Sequence, residues 1–184
     1  MPGAVFLRGD RVSLHTIEET DLDLLNENVN DPRVRRPLTS ATPTTMASTE
    51  AFHEDVVSDD DSVNLLVCVE GDDGESEAVG DIALFKLHER TRWGELAIAI
   101  HPDHWGEGYG TAASRLLVEY AFDERNLNRV QARVMATNDA SRRIWETLGF
   151  ELEGRLRENQ FVDGEYVDTL YFGLLESEWR DGDH

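Results

Sequence analysis

One stretch, ELAIAIHPDHWGEGYGT at residues 95–111, constrains this chain more than any other. Leu96 to Ile100 run apolar, as a strand buried on both faces does, and His101-Pro102-Asp103 ends the run because proline lacks a ladder amide. Gly106, Gly108 and Gly110 then alternate with Glu107 and Tyr109. Ala113, Leu116, Leu117, Tyr120 and Ala121 follow at helical spacing, on one face. A strand, a glycine turn and a helix start form a seat for phosphate. Glycine lets a ligand approach the main chain, and the first helical amides have no partner inside the helix. The plainer alternative is a tight strand-to-helix connection.

Two familiar phosphate loops do not fit. A nucleotide P-loop needs a lysine after its last glycine, where this chain has Thr111. A dinucleotide fold spaces its glycines G-x-G-x-x-G and places an acid about 20 residues on. Here the spacing is G-x-G-x-G, and no acid ends the next apolar run, residues 129–135.

The remaining pattern predicts an α/β (α+β) domain spanning the chain, with a mixed sheet of about seven strands. Residues 5–14 alternate as a first strand. Thr20 precedes a helix that Asp31-Pro32 ends, and Pro43 precedes a second helix at 44–58. Strands at 64–70 and 78–86, joined by GDDGESE, lead into the strand at 95 as an antiparallel meander. The strand at 130–134 follows the glycine-started helix, so the crossover rule makes it parallel. A short helix at 139–148 points Ala140, Ile144 and Leu148 inward, and a strand pair at 150–157 and 167–175 turns at Asp163-Gly164. Helices lie on both faces.

Charge excludes some partners. Thirty-eight acids oppose 17 bases, for a net charge of -21, and Lys86 is the only lysine. Such a surface repels nucleic acid and anionic membranes. Acids spread through every segment fit a halophile-like protein, since salt near 1 M shrinks the Debye length to about 3 Å and screens self-repulsion. Arg33, Arg35 and Arg36 are the densest basic cluster, read as partners of nearby acids or as ligand contacts. Cys68 stands alone, in an apolar strand, so no internal disulfide forms. No apolar run nears the ~20 residues of a membrane span, and the start lacks the blocks of a signal peptide, so a cytoplasmic place is expected. No residue spacing suggests a metal loop.

HPDHWGEGYGTAA resembles the acetyl-CoA loop of the GNAT acetyltransferase superfamily, written Q/R-G-x-G-x-G/A, with Trp105 where Gln or Arg is commonest. TNDASRRIWETLGFELEG, residues 137–154, resembles that superfamily's N-x-x-S/A…Y-E-K-x-G-F segment. With the opening LRGDRVSLHTIEETDLDLL and the closing DGEYVDTLYFGLLESEW, the similarity covers nearly the whole chain. It is nearest the branch resembling ribosomal-protein N-terminal acetyltransferases.

The resemblance implies direct acetyl transfer from acetyl-CoA, as cosubstrate, to a primary amine. The amides of Trp105, Gly106, Glu107, Gly108, Tyr109, Gly110 and Thr111 would hold the diphosphate, and main-chain groups of Ile98 and Ile100 would run beside the pantetheine arm. Asn138 and Ser141 would bind that arm, although Asn138 is an equally good helix cap. Glu95 is the expected base, against an ordinary strand-edge glutamate. Trp145 stands where relatives often carry a tyrosine as general acid. Indole N–H donates but does not titrate, so Trp145 is expected to wall the pantetheine channel, with Tyr109 or Tyr171 as unsupported substitutes. The expected acceptor is a protein N-terminal α-amine. The alternatives are a small amine (polyamine, amino acid or aminoglycoside) and a non-catalytic acyl-CoA sensor.

Overall fold

The computed structural model describes residues 2–38, 42–57, 61–71 and 74–182. Residues 39–41 of the polar connection, residue 58 at the expected end of the second helix and residues 72–73 of the hairpin turn lie outside them.

The strands are β1 (Val5–Arg8), β2 (Ser13–Thr16), β3 (Val63–Glu70), β4 (Ser76–His88), β5 (Trp93–Ile100), β6 (Arg129–Met135), β7 (Glu151–Val162) and β8 (Glu165–Leu175). The helices are α1 (Leu22–Asn30), α2 (Pro32–Arg35), α3 (Met46–Phe52), α4 (Tyr109–Asp123), α5 (Asp139–Thr147) and α6 (Glu176–Asp181). One eight-stranded sheet runs β1-β2-β3-β4-β5-β6-β8-β7. Every pair is antiparallel except β5–β6. The eighth strand arises because the expected first strand folds back on itself at residues 9–12, where the Gly9 amide donates to the Val12 carbonyl at 3.0 Å.

Strand β3 explains why helices cover both faces. Leu65 and Val67 enter the main core with Leu117 and Ala121 of α4, whereas Leu66 and Cys68 meet Leu22 of α1. That alternation is the period of a strand buried on both sides. Burial pushes the Cys68 thiol up to about 12, so it packs as an inert apolar group.

Helix starts follow local chemistry. Asp31 accepts from the Arg33 amide, and Pro32 opens α2. The Thr45 hydroxyl accepts from the Ser48 amide, so α3 begins later than residue 44, and a wide turn at His53–Val57 replaces its expected last stretch. In α5, Ile144 and Leu148 pack on the core as expected and Trp145 is buried beside them, while Ala140, at the helix start, is exposed where an inward position was expected.

The sheet opens where the glycine turn needs room. Pairing of β5 with β6 stops at Leu96–Ala132. Strand β5 stays on β4 as far as Ile100, and β6 stays on β8 as far as Met135. Residues 97–100 therefore have an edge that no neighbouring strand covers.

Candidate active site

The opening between β5 and β6 is the floor of a cleft of about 830 Å³. Its floor includes Ile98, Ala99, Ile100 and Met135, and the glycine turn closes one end with Gly106, Gly108, Tyr109, Gly110 and Thr111. One wall is α2 and the residues after it; the other is the start of α5. Val162 and Asp163, at the tip of the β7–β8 hairpin, complete the rim.

The turn has the shape an anion needs. Gly106 and Gly108 have φ of +88° and +79°, where a side chain is strained. Gly108 caps α4, and the first intrahelical bond runs from the Ala112 amide to the Gly108 carbonyl at 3.1 Å. The amides of Tyr109, Gly110 and Thr111 precede that bond and have no helical partner. Gly110 is a packing glycine: a Cβ there would lie 2.8 Å from Cδ1 of Ile144 on α5. Cleft-lining charge also favours an anion. Arg33, Arg36 and Arg143 outnumber Asp139 and Asp163, against a whole-chain net charge of -21.

Two residues of the arginine cluster pair with nearby acids and also stand in the cleft lining. Arg33 pairs with Asp31 and Asp103, and Arg36 pairs with Asp163 across the rim at 3.4 Å, while Arg33 and Arg36 also line the cleft. Arg143 is on the wall, whereas its neighbour Arg142 pairs with Asp139 and Glu146. His104 also lines the cleft.

Trp105 is half exposed, and its indole donates to the Ile100 carbonyl at 2.7 Å. Of the main-chain groups expected to run beside the pantetheine arm, the Ile100 carbonyl thus already has a donor. Asn138 caps α5, its Oδ1 accepting from the Ser141 amide at 3.1 Å, and both residues line the cleft.

Two expected residues stand elsewhere. Trp145 is not in the cleft wall. It is 2% exposed, packs on Phe150 at 5.1 Å between ring centroids, and donates its N–H to the Ser141 hydroxyl at 3.3 Å. It is buried in the core with Leu148, on the side where Ile144 also packs.

Glu95 is also outside the cleft lining. It lies within the paired part of β5, opposite Phe85 on β4 and Gln131 on β6, and accepts from Lys86 Nζ at 3.0 Å, from Gln131 Nε2 at 3.0 Å and from Arg133 Nε. Burial pushes its carboxyl up, but the bonds from Arg133, Gln131 and Lys86 outweigh burial and hold its pKa below the ordinary carboxylate value. An ionised group so well supplied with donors is a poor proton acceptor. Tyr109 lines the cleft at its glycine-turn end, and Tyr171 faces Arg133 on β8.

Sequence reasoning missed two features. Arg11, from the first hairpin, donates to the Glu107 carbonyl at 2.8 Å, and no local pattern announces a contact so distant along the chain. Asp81, opposite Ala99 on β4, has Asn28 of α1 beside it at 3.5 Å, and burial pushes it up to about 6. Among the described residues no three His, Cys, Asp or Glu side chains gather as a metal site.

A splayed parallel pair, an uncovered strand edge and an amide-lined turn define a cleft for a long carrier that ends in a diphosphate. The model of the acetyltransferase (GNAT) domain matches residues 11–151. The chain belongs to the GNAT acetyltransferase family, whose members use acetyl-CoA, and is an N-acetyltransferase. It is 27% identical over 174 residues to an uncharacterized N-acetyltransferase, p20, of Bacillus licheniformis, covering 92% of this chain and 96% of that one. It is 39% identical over 101 residues to the putative ribosomal N-acetyltransferase YdaF of Bacillus subtilis (strain 168), covering 55% of each. The fold resembles that of spermidine N-acetyltransferase from Vibrio cholerae in complex with CoA and spermine, with a TM-score of 0.84 at 22% identity, over 94% of this chain and 99% of that one.

Proposed function

We propose that this N-acetyltransferase acetylates a primary amine of a small molecule. Bound acetyl-CoA supplies the activated acetyl group. The glycine turn holds the diphosphate, the uncovered edge of β5 guides the pantetheine arm, and α2 with the hairpin tip receives the acceptor. The amine must reach the thioester as a neutral nucleophile, and the cleft offers no buried, donor-free carboxylate among its described lining residues. Deprotonation through water is the consistent route, with water also protonating the departing thiolate, since Trp145 is spent in the core. Glu95 then acts as a buried anchor of the strand split.

The observation that carries the small-molecule reading is the rim. Arg36, just after α2, pairs with Asp163 at the hairpin tip at 3.4 Å, and that bridge across the rim narrows the acceptor entrance against a polypeptide. Both side chains are half exposed, so the pair contributes only about 0–1 kcal/mol, and a substrate ammonium can displace Arg36 from Asp163. Similarity to spermidine N(1)-acetyltransferase of Escherichia coli (strain K12), 24% over 168 residues, supports the same class. This departs from the N-terminal acceptor expected from sequence, which the likeness to YdaF still favours as a second reading.

The test is thiol release from acetyl-CoA in high KCl with polyamines, amino acids, aminoglycosides and N-terminal peptides. Turnover with a small amine at least tenfold above that with every peptide is expected. Turnover confined to peptides refutes the proposal.

A further inference from the structure

The first hairpin touches the glycine turn through one side chain. The β1–β2 turn rests on α4, since a Cβ on Gly9 would lie 3.1 Å from Cδ1 of Leu116. From there Arg11 reaches the turn. Its Nη2 donates to the Glu107 carbonyl at 2.8 Å. Its Cζ lies 5.8 Å from the centroid of the Tyr109 ring, and its Nη1 lies 3.0 Å from where a Cβ on Gly108 would be. Arg11 is exposed and does not line the cleft, so it acts from the outer side of the turn.

We propose that Arg11 is a positioning residue for cosubstrate binding: by holding the Glu107 carbonyl outward it keeps the Gly108 amide turned toward the diphosphate. The inference rests on the reading of this turn as the acetyl-CoA seat. No peptide bond of the described chain is cis. In a trans peptide the carbonyl of one residue and the amide N–H of the next point in opposite directions. Fixing the Glu107 carbonyl against Arg11 therefore aims the Gly108 N–H the other way. Without that anchor the Glu107–Gly108 peptide can flip, because glycine admits the backbone angles of both orientations. The flipped peptide would present a carbonyl oxygen to phosphate oxygens, exchanging attraction for repulsion. The guanidinium also adds positive potential beside the turn in a chain of net charge -21.

The test compares wild type, Arg11→Ala and Arg11→Lys by calorimetric titration with CoA and by steady-state kinetics in high KCl. Loss of one well-aimed amide on a charged acceptor weakens binding about tenfold or more. Arg11→Ala is expected to raise the Kd for CoA and the KM for acetyl-CoA by that factor. Its kcat at saturation and its KM for the amine should stay within twofold of wild type, and Arg11→Lys should recover part of the loss. S-Acetylpantetheine, which lacks the diphosphate, separates positioning from general damage: its kcat/KM should be the same in wild type and Arg11→Ala. A Kd for CoA within twofold of wild type in Arg11→Ala overturns the proposal, as does an equal loss with acetyl-CoA and S-acetylpantetheine. Wild type that fails to bind CoA overturns the parent reading instead, and is distinguished by that control alone.

Discussion

Replacing Glu95 with glutamine asks whether this carboxylate anchors the sheet or takes a proton. It is 2% exposed and holds three donors, from Lys86, Gln131 and Arg133. Glutamine with its oxygen at the Oε2 position turns the Lys86 ion pair into a bond from a cation to a neutral amide, makes the Gln131 bond neutral and points its own NH₂ at Arg133. Each conversion loses roughly 1 kcal/mol, and the opposed donors cost about 1 more. Lys86 and Arg133 are 49% and 42% exposed and can turn to water, which discounts their share. The net loss is about 2 kcal/mol at neutral pH.

Chemical denaturation of wild type and Glu95→Gln across pH reads this directly. The folded pKa of Glu95 lies below the ordinary value of 4.5. Its stabilisation is therefore complete above the unfolded pKa and is lost as pH falls through the folded one. The gap between the proteins should be constant from pH 6 to 8 and shrink below about pH 4.5. The kcat of Glu95→Gln, measured well below its Tm, should stay within about fivefold of wild type, less than the 10²–10⁴ a general base supplies. A variant as stable as wild type whose kcat falls a hundredfold would refute the anchor.

Trp145→Phe removes a core indole rather than a proton donor, so it should lose about 2 kcal/mol of stability and keep kcat within about threefold. A hundredfold loss of kcat in the folded variant would give the indole a chemical part. Asp81 has its pKa raised from 3.8 to about 6 by burial, so the fold binds its proton more tightly than the unfolded chain and loses stability as pH rises through that interval. Asp81→Asn should be the more stable protein at pH 7, by at most roughly 3 kcal/mol, and equal to wild type near pH 4. No gain at pH 7 in urea unfolding would count against that sign. The acidic surface predicts a melting temperature that rises between about 0.1 M and 2 M KCl, as calorimetry would show; a flat or falling value contradicts salt adaptation.

What sequence revealed, and what it hid, divides by distance along the chain. The strand, glycine turn and helix at residues 95–123 were legible because apolar period, proline stop and glycine spacing are all local. The splay of β5 from β6 was not, since it depends on Ile98 and Ile100 staying on β4 while β6 follows β8. The first hairpin was missed although Arg8-Gly9-Asp10-Arg11 interrupts the apolar pattern of residues 5–14, because so short a polar break reads as part of one strand rather than as a turn. In α5, the spacing of Ala140, Ile144 and Leu148 gave the inward side for Ile144 and Leu148 but not for Ala140, which opens onto the cleft. It left out Trp145, whose burial against Phe150, a residue outside the helix, no spacing within the helix announces. Glu95 repeats the pattern: its residue type suggests a base, but Gln131 and Arg133, supplied by the parallel crossover, donate to its carboxylate, and on those bonds the proposed anchor role rests. Arg36 and Asp163 extend it to the acceptor, because each is an ordinary surface charge until the hairpin tip meets the residue after α2. In the proposed reading, cosubstrate binding follows from a contiguous motif, whereas acceptor choice follows from a rim assembled by topology, which could change its charges without disturbing the glycine turn.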